Sequence, residues 1–221
     1  MKPASSKVKQ YFHRRADQFD SLYEEDSWWH CQFNRLFRAG LYERVRFTLR
    51  ELQGMEDFSV LDVGCGSGRN SALFARAGAR RVLGIDFSAR MIELAEDYCR
   101  RKGTTAQCEF VQADFLDYDF REAFDVAVAL GVFDYLSDPH TALRKLRAVA
   151  KCKIIASFPG VSPVRAPLRK LRYALRSCPV YFYSATQLRE LCRQVGLKDY
   201  SLVPYASSGW LVVGKNQEES G

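Results

Sequence analysis

The sequence predicts an α/β fold: a mostly parallel, doubly wound sheet of seven strands, with helices on both faces and a helical cap ahead of it. Three observations carry that prediction. From residue 58 to 215, apolar runs of strand length alternate with stretches of helical period, the pattern of successive βαβ units. The first run, Val60 to Val63, passes directly into Gly64, Gly66 and Gly68, and the second, Arg81 to Asp86, ends on a carboxylate. A chain of 221 residues, 47% hydrophobic and 27% charged, suits one domain with a sizeable core.

Two segments with helical spacing come first. Val8, Tyr11, Phe12, Phe19, Leu22 and Tyr23 form one, and Trp29, Phe33, Leu36, Phe37, Leu41, Val45, Thr48 and Leu52 the other. They define a cap over residues 1–57, followed by a core over 58–215 and a flexible tail over 216–221. Within the core, Ser67 is the expected cap of a helix reaching Ala77. Strand 81–86 follows, and Ser88 caps a helix carrying Met91, Ile92, Leu94, Ala95 and Tyr98.

Strands 108–112 and 124–130 come next, separated by the polar loop 114–122. Asp138-Pro139 is an N-cap followed by proline in the first turn, which opens a helix with Leu143, Leu146 and Val149 inward. Lys153 to Phe158 is the fifth strand. Ser184 and Gln187 form a capping box for a helix ending at Gly196, and the runs 200–206 and 210–215 close the chain as a hairpin.

The glycine turn and Asp86 together describe a nucleoside-binding crevice. Glycines allow a sharp strand-to-helix turn with no Cβ between backbone and ligand, and a carboxylate at the next strand end accepts hydrogen bonds from ribose hydroxyls. A dinucleotide fold has its third glycine five residues after its first, so that a helix N-terminus meets a pyrophosphate. Here Gly68 comes four residues after Gly64, and Asp62 beside the turn repels a pyrophosphate but attracts a cationic amine or sulfonium.

Leu61 to Gly68 resembles the first motif of the class I S-adenosylmethionine-dependent methyltransferases, and Gly84-Ile85-Asp86-Phe87-Ser88 resembles the second. Phe110 to Phe115 is similar to the third motif and Phe124 to Leu130 to the fourth strand, so the likeness covers residues 58–158. The resemblance implies a Rossmann-like sheet whose last strand is antiparallel, with S-adenosylmethionine as cofactor; no metal is expected, since the clustered Cys/His spacing of a metal site is missing from the sequence. It implies cofactor contacts at Asp62, Gly64, Cys65, Gly66, Asp86, Phe87, Met91, Asp114, Phe115 and Leu130. The methionine end falls to the glycine turn, the ribose to Asp86 and the adenine to Asp114 and Phe115. Similar enzymes close their first helix over the cofactor, which makes Tyr11 and Phe19 candidate substrate contacts.

Charge is unevenly spread. Between Asp138 and Glu190 there is no acidic residue, while Arg144, Lys145, Arg147, Lys151, Lys153, Arg165, Arg169, Lys170, Arg172, Arg176 and Arg189 supply much of the net charge of +7. The middle of this stretch is an insertion over 162–180, with Leu168, Leu171 and Leu175 on one helical face and Arg169, Arg172 and Arg176 on another. Arg169 and Arg172 can grip an anionic acceptor, hold an acidic surface, or form a solvated face.

Methyltransferases that act on exocyclic amines of bases follow the fourth strand with Asn or Asp, two prolines and an aromatic. This chain has Leu130-Gly-Val-Phe-Asp134-Tyr135, which argues against nucleic acid as acceptor. Asp134 and Tyr135 are the candidate catalytic pair, able to orient or deprotonate an acceptor. Related quinone and porphyrin-precursor enzymes often carry Glu-His in this loop, so their mechanism does not transfer directly.

The likeness is to small-molecule enzymes of the magnesium-protoporphyrin and ubiquinone O-methyltransferase type, and implies methyl transfer to an oxygen of an anionic or aromatic metabolite. The alternatives are an RNA or protein methyltransferase using the basic surface, and a non-catalytic module that binds S-adenosylmethionine. Seven cysteines without a C-x-x-C pair read as reduced, and with no apolar run of bilayer length or signal-peptide pattern, the chain is expected in the cytoplasm.

Overall fold

The computed structural model describes residues 28–161, 179–205 and 209–216, with side chains from residue 40 onward. Its elements are α1 (Trp28–Leu52), β1 (Ser59–Val63), α2 (Arg69–Arg76), β2 (Arg81–Asp86), α3 (Ala89–Lys102), β3 (Cys108–Gln112), β4 (Phe124–Ala129), α4 (Pro139–Ala148), β5 (Ala150–Pro159), α5 (Ala185–Gln194), β6 (Asp199–Tyr205) and β7 (Gly209–Lys215). The first helical segment with Tyr11 and Phe19, the insertion's 162–178 with Arg169 and Arg172, and the tail from 217 lie outside the described residues.

The seven strands form one sheet in the order β3-β2-β1-β4-β5-β7-β6. β1 to β5 pair in parallel, and β7 is antiparallel to both β5 and β6. The expected antiparallel last strand is therefore present, inserted between two strands made before it. Gly214 makes that fit possible, since a Cβ there would stand 2.7 Å from Leu197 Cδ2 and 2.9 Å from Ile154 Cγ1.

The core is two layers split by the sheet, because successive strand residues point to opposite faces. Leu61, Val63, Ile85, Ala127, Ile154 and Phe158 pack on one face with Leu143, Leu146, Leu188 and Leu191 of α4 and α5. Val60, Val82, Val126, Val128 and Ile155 pack on the other with Leu52 of α1, Phe74 of α2 and Cys99 of α3. Each large apolar side chain buried here contributes about 1.5–3 kcal/mol. The described thiols are free; Cys65, Cys99, Cys108 and Cys192 are buried and Cys152 is exposed.

Caps fall where the residue types require, with one correction. Ser88, Asp138 and Ser184 accept from the backbone of Met91, Thr141 and Gln187, and Ser184 with Gln187 completes a capping box. Ser67 does not cap α2. That position belongs to Gly68, left-handed at φ 72° with no side-chain cap, because a Cβ there would lie 2.8 Å from Ala95 Cβ and 2.9 Å from its Cα. Close packing of α2 on α3 selects glycine over a capping hydroxyl.

Register aligns the functional edge. Val63 stands opposite Ile85 and Ala129, and Asp86 opposite Gln112, so Gly64, Asp86, Gln112 and Leu130 fall in one layer at the sheet edge, with Ala113 one residue beyond it. α1 runs along the second face away from this edge, its end fixed near the start of the strands by Lys153 Nζ, which donates to the Glu51 carbonyl at 2.6 Å and its carboxylate at 3.0 Å.

Candidate functional site

The glycine turn is built by hydrogen bonds that only a tight loop can make. Gly64 and Cys65 N–H both donate to the Ile85 carbonyl, at 2.8 and 3.2 Å, which fastens the loop to the end of β2. Gly64 is exposed at the sheet edge. Gly66 has φ 52° and, unlike Gly64 and Gly68, would carry its Cβ into open space. A ligand can therefore lie against this backbone without meeting a side chain, which is the fit a nucleoside with a flexible tail requires.

Two carboxylates flank the turn and do different work. Asp86 Oδ2 accepts from Gly66 N–H at 3.1 Å and Oδ1 from Ser88 N–H at 2.9 Å, so one side chain clamps the loop after β1 to the start of α3. Each oxygen keeps a further lone pair for a ligand hydroxyl. Burial raises its pKa against these backbone hydrogen bonds. Asp62 is 1% exposed beneath the turn, where Ser71 Oγ donates to it at 2.6 Å. Burial pushes the Asp62 carboxyl up to about 7 despite Ser71, and Asp86 adds to the rise. Asp62 thus acts on the cleft through the loop above it.

Cys65 is buried, with its thiol pushed well up by burial and by Asp86, so its backbone is the part that serves the turn. Met91 is buried in the first turn of α3, its N–H given to Ser88 Oγ, while Phe87 is partly exposed at the edge.

Beyond β3, Asp114 holds its own turn: Oδ1 accepts from Leu116 N–H at 3.0 Å and its carbonyl accepts from Asp117 and Tyr118. Phe115 packs 5.9 Å from Phe120. Lys145 of α4, read from the sequence only as part of a basic stretch, secures this loop by donating to the carbonyls of Leu116 at 2.9 Å and Tyr118 at 2.6 Å. Its ammonium also lies 5.5 Å from the Phe115 ring and 5.6 Å from Phe120. Arg147 likewise donates to the Val195 carbonyl, so these cations and Lys153 hold the fold rather than an exposed face.

At the end of β4, Leu130 is buried and Gly131 turns left-handed at φ 84°, giving its N–H to Ser157 Oγ at 2.7 Å. Asp134 is 6% exposed, and its carbonyl accepts from Tyr181 N–H at 2.9 Å. Tyr135 closes a turn onto the Val132 carbonyl. Burial raises the pKa of the Tyr183 and Tyr205 phenols, helped by Asp134; Arg44 opposes the rise at Tyr205. Periodicity gave no sign of Arg44, Ser157 or Tyr205, because it marks apolar faces and not the polar residues that folding brings to a shared edge.

A methyltransferase domain family matches residues 60–153. An O-methyltransferase of Penicillium expansum is 34% identical over 143 residues, covering 63% of this chain and 51% of that protein. A ubiquinone biosynthesis O-methyltransferase of Histophilus somni is 29% identical over 123 residues, covering 54% of this chain and 51% of its own. The chain spans about half the length of these curated relatives. Among solved structures, magnesium protoporphyrin IX methyltransferase from Synechocystis with bound S-adenosylhomocysteine superposes with a TM-score of 0.78. It is 19% identical, over 97% of this chain and 100% of that one, a likeness of fold.

Proposed function

We propose that the chain, whose residues 60–153 match a methyltransferase domain family and which resembles curated O-methyltransferases, is a class I S-adenosylmethionine-dependent methyltransferase that transfers a methyl group to an oxygen of a small acceptor by in-line displacement. The observation that carries this reading is the shared layer of Gly64, Asp86, Gln112 and Leu130, neighbours across four strands. Three interstrand steps of ~4.8 Å set the adenine end at β3 about 14 Å from the β4 end, room for one extended ligand.

In this reading the backbone of Gly64, Cys65 and Gly66 holds the amino-acid end of the ligand, and Asp62 favours its positive charge from below. Asp86 accepts from the ribose, with Phe87 and Met91 beside it; Asp114 and Phe115 take the adenine, and Leu130 borders the reaction site. When bound, S-adenosylmethionine supplies a methyl carbon on a cationic sulfur that is already a good leaving group. The chain's work is then to align the acceptor, exclude water and receive a proton when the acceptor is a hydroxyl.

Asp134 and Tyr135 orient the acceptor, and Asp134 takes up its proton. Arg169 and Arg172 of the insertion, with Tyr11 and Phe19 of the cap, are the further acceptor contacts this reading assigns. What supports the assignment of Arg169 and Arg172 is that the described residues on either side of the insertion lie at this edge: Gly160 bridges Tyr183, and Tyr181 bonds Asp134. The domain reading keeps 1–57 as cap, 58–215 as catalytic core and 216–221 as tail.

Incubation with methyl-labelled S-adenosylmethionine and size-fractionated cell extract tests the proposal. Label recovered in a small molecule supports it. Label in RNA or protein supports a macromolecular acceptor, and no transfer despite cofactor binding supports a non-catalytic role.

A further inference from the structure

Two thiols meet behind the glycine turn. Cys99 lies in the last turn of α3, which Gly103 closes with left-handed backbone at φ 70°. Thr104 then brings the chain back: its N–H donates to the Cys99 carbonyl at 3.0 Å, and its carbonyl accepts from Cys108 N–H at 3.1 Å at the start of β3. This return sets both side chains in the core layer that α2 and α3 share with the sheet. Cys108 can donate its thiol proton to Cys99, so the two sulfurs lie within hydrogen-bond reach of each other.

Both thiols also touch the first turn of α2. Cys99 Sγ reaches the Gly68 carbonyl at 3.9 Å, and Cys108 Sγ the Ser71 carbonyl at 3.7 Å. Gly68 ends the glycine turn, and Ser71 holds Asp62 beneath it, so the pair bears on two supports of the candidate site. Hydrogen bonding between the sulfurs holds the Cys99 thiol below its ordinary range against burial, and pushes Cys108 above it. A thiolate favoured by a neighbouring thiol is a nucleophile with its resolving partner already in place.

We propose that Cys99 and Cys108 are a dithiol oxidised by hydrogen peroxide, whose disulfide loosens the glycine turn and weakens S-adenosylmethionine binding. Cys99 is 1% exposed and Cys108 7%, and the turn between them is open to solvent at Gly103, Thr105 and Ala106, so the reagent must be small and enters where that turn opens. The Cys99 thiolate attacks one peroxide oxygen and breaks the O–O bond, giving a sulfenic acid and a hydroxide that takes up the proton Cys99 gave. The Cys108 thiol attacks that sulfur, the S–S bond forms, and the hydroxyl leaves as water with the Cys108 proton. Two thiols and one hydrogen peroxide thus become one disulfide and two waters, the sulfurs losing two electrons and the peroxide oxygens gaining them. An external dithiol reverses the bond by exchange and is itself oxidised. Closing the sulfurs to the ~2 Å of a disulfide draws the end of α3 toward β3 and takes both S–H groups from the Gly68 and Ser71 carbonyls. The effect on binding rests on the reading of the turn as the ligand site.

The test treats reduced protein with hydrogen peroxide, quenches with catalase, and maps the linkages by proteolysis and mass spectrometry without reductant. A peptide pair joined through Cys99 and Cys108 is expected, and dithiothreitol is expected to separate it. In calorimetry the linked protein is expected to bind S-adenosylhomocysteine about fivefold or more weakly than the reduced protein, the scale of coupling between two sites, with dithiothreitol restoring the affinity. Cys99→Ser and Cys108→Ala are each expected to keep the reduced affinity before and after peroxide, which assigns the loss to this pair and not to the other thiols. Because the linkage and its effect are read on the wild-type protein, a poorly folded variant does not obscure the outcome. Oxidised wild-type protein without a Cys99–Cys108 bond, or linked protein whose affinity stays within about twofold of the reduced form, overturns the proposal. Failure of the reduced wild-type protein to bind S-adenosylhomocysteine would instead remove the ligand reading of the turn.

Discussion

Asp62 and Asp86 lie on one cleft yet differ in what their charge costs. Folding raises the Asp62 carboxyl from 3.8 to about 7, chiefly through burial, so between those values the native protein keeps a proton that the unfolded chain releases. Stability from this group falls as pH rises from about 4 to 7, and the loss is complete above that window. Asp62→Asn cannot ionise, so it is expected to flatten this part of a plot of urea midpoint against pH and to gain on wild type at pH 8. On the proposed function, the positive charge of the bound ligand draws the proton off Asp62; calorimetry near pH 6.5 in buffers of different ionisation heat should register its release. On the same proposal Asp86 contacts the ligand directly, and Asp86→Ala is expected to weaken S-adenosylhomocysteine binding by about 1–3 kcal/mol. An unchanged dissociation constant would refute its assigned role. Asp86 was legible in the sequence because a lone acid closing an apolar strand beside a glycine turn is rare; Arg44 was not, because an arginine on an amphipathic helix reads as a solvated one.

Elements that meet only neighbours in sequence were read well. The Ser88, Asp138 and Ser184 caps depend on a hydroxyl or carboxylate three residues from an N–H, and each is present. The start of α2 was misread because its cap is decided by α3, twenty-seven residues further on at Ala95, which no local pattern contains. The loop after β3 shows the same limit: its fastening is Lys145 from a helix beyond the next strand. Lys145→Met leaves two carbonyls without their donor and is expected to cost about 1–3 kcal/mol. It should also lower S-adenosylhomocysteine affinity several-fold, because Asp114 and Phe115 ride on that loop. Equilibrium unfolding and calorimetry on the same variant separate the two effects, and full affinity with reduced stability would show that the loop plays no part in the ligand site.

At the scale of the molecule, alternation of strand and helix was enough to give the parallel half of the sheet, and a likeness to a known family supplied the antiparallel last strand. What periodicity alone lacked was the order of the edge, since two β runs joined by a short turn read as a hairpin wherever they dock. The structure puts β7 inside, paired on both sides, with β6 outermost. The basic stretch is similarly divided by folding: Lys145, Arg147 and Lys153 are spent on carbonyls and on Glu51, so composition overstated the free positive surface.

The position of β7 also sets a timetable for a chain emerging from the ribosome. β6 has no partner in the sheet until residues 209–215 arrive to fill the gap beside β5, so the open flank of β5 waits through synthesis as an unfinished seam. Nascent chains halted after residue 208 are expected to sediment as aggregates or to be held by chaperones, whereas release after residue 216 yields soluble protein. Soluble, ligand-competent chains ending at 208 would show that the cofactor half folds without its closing strand.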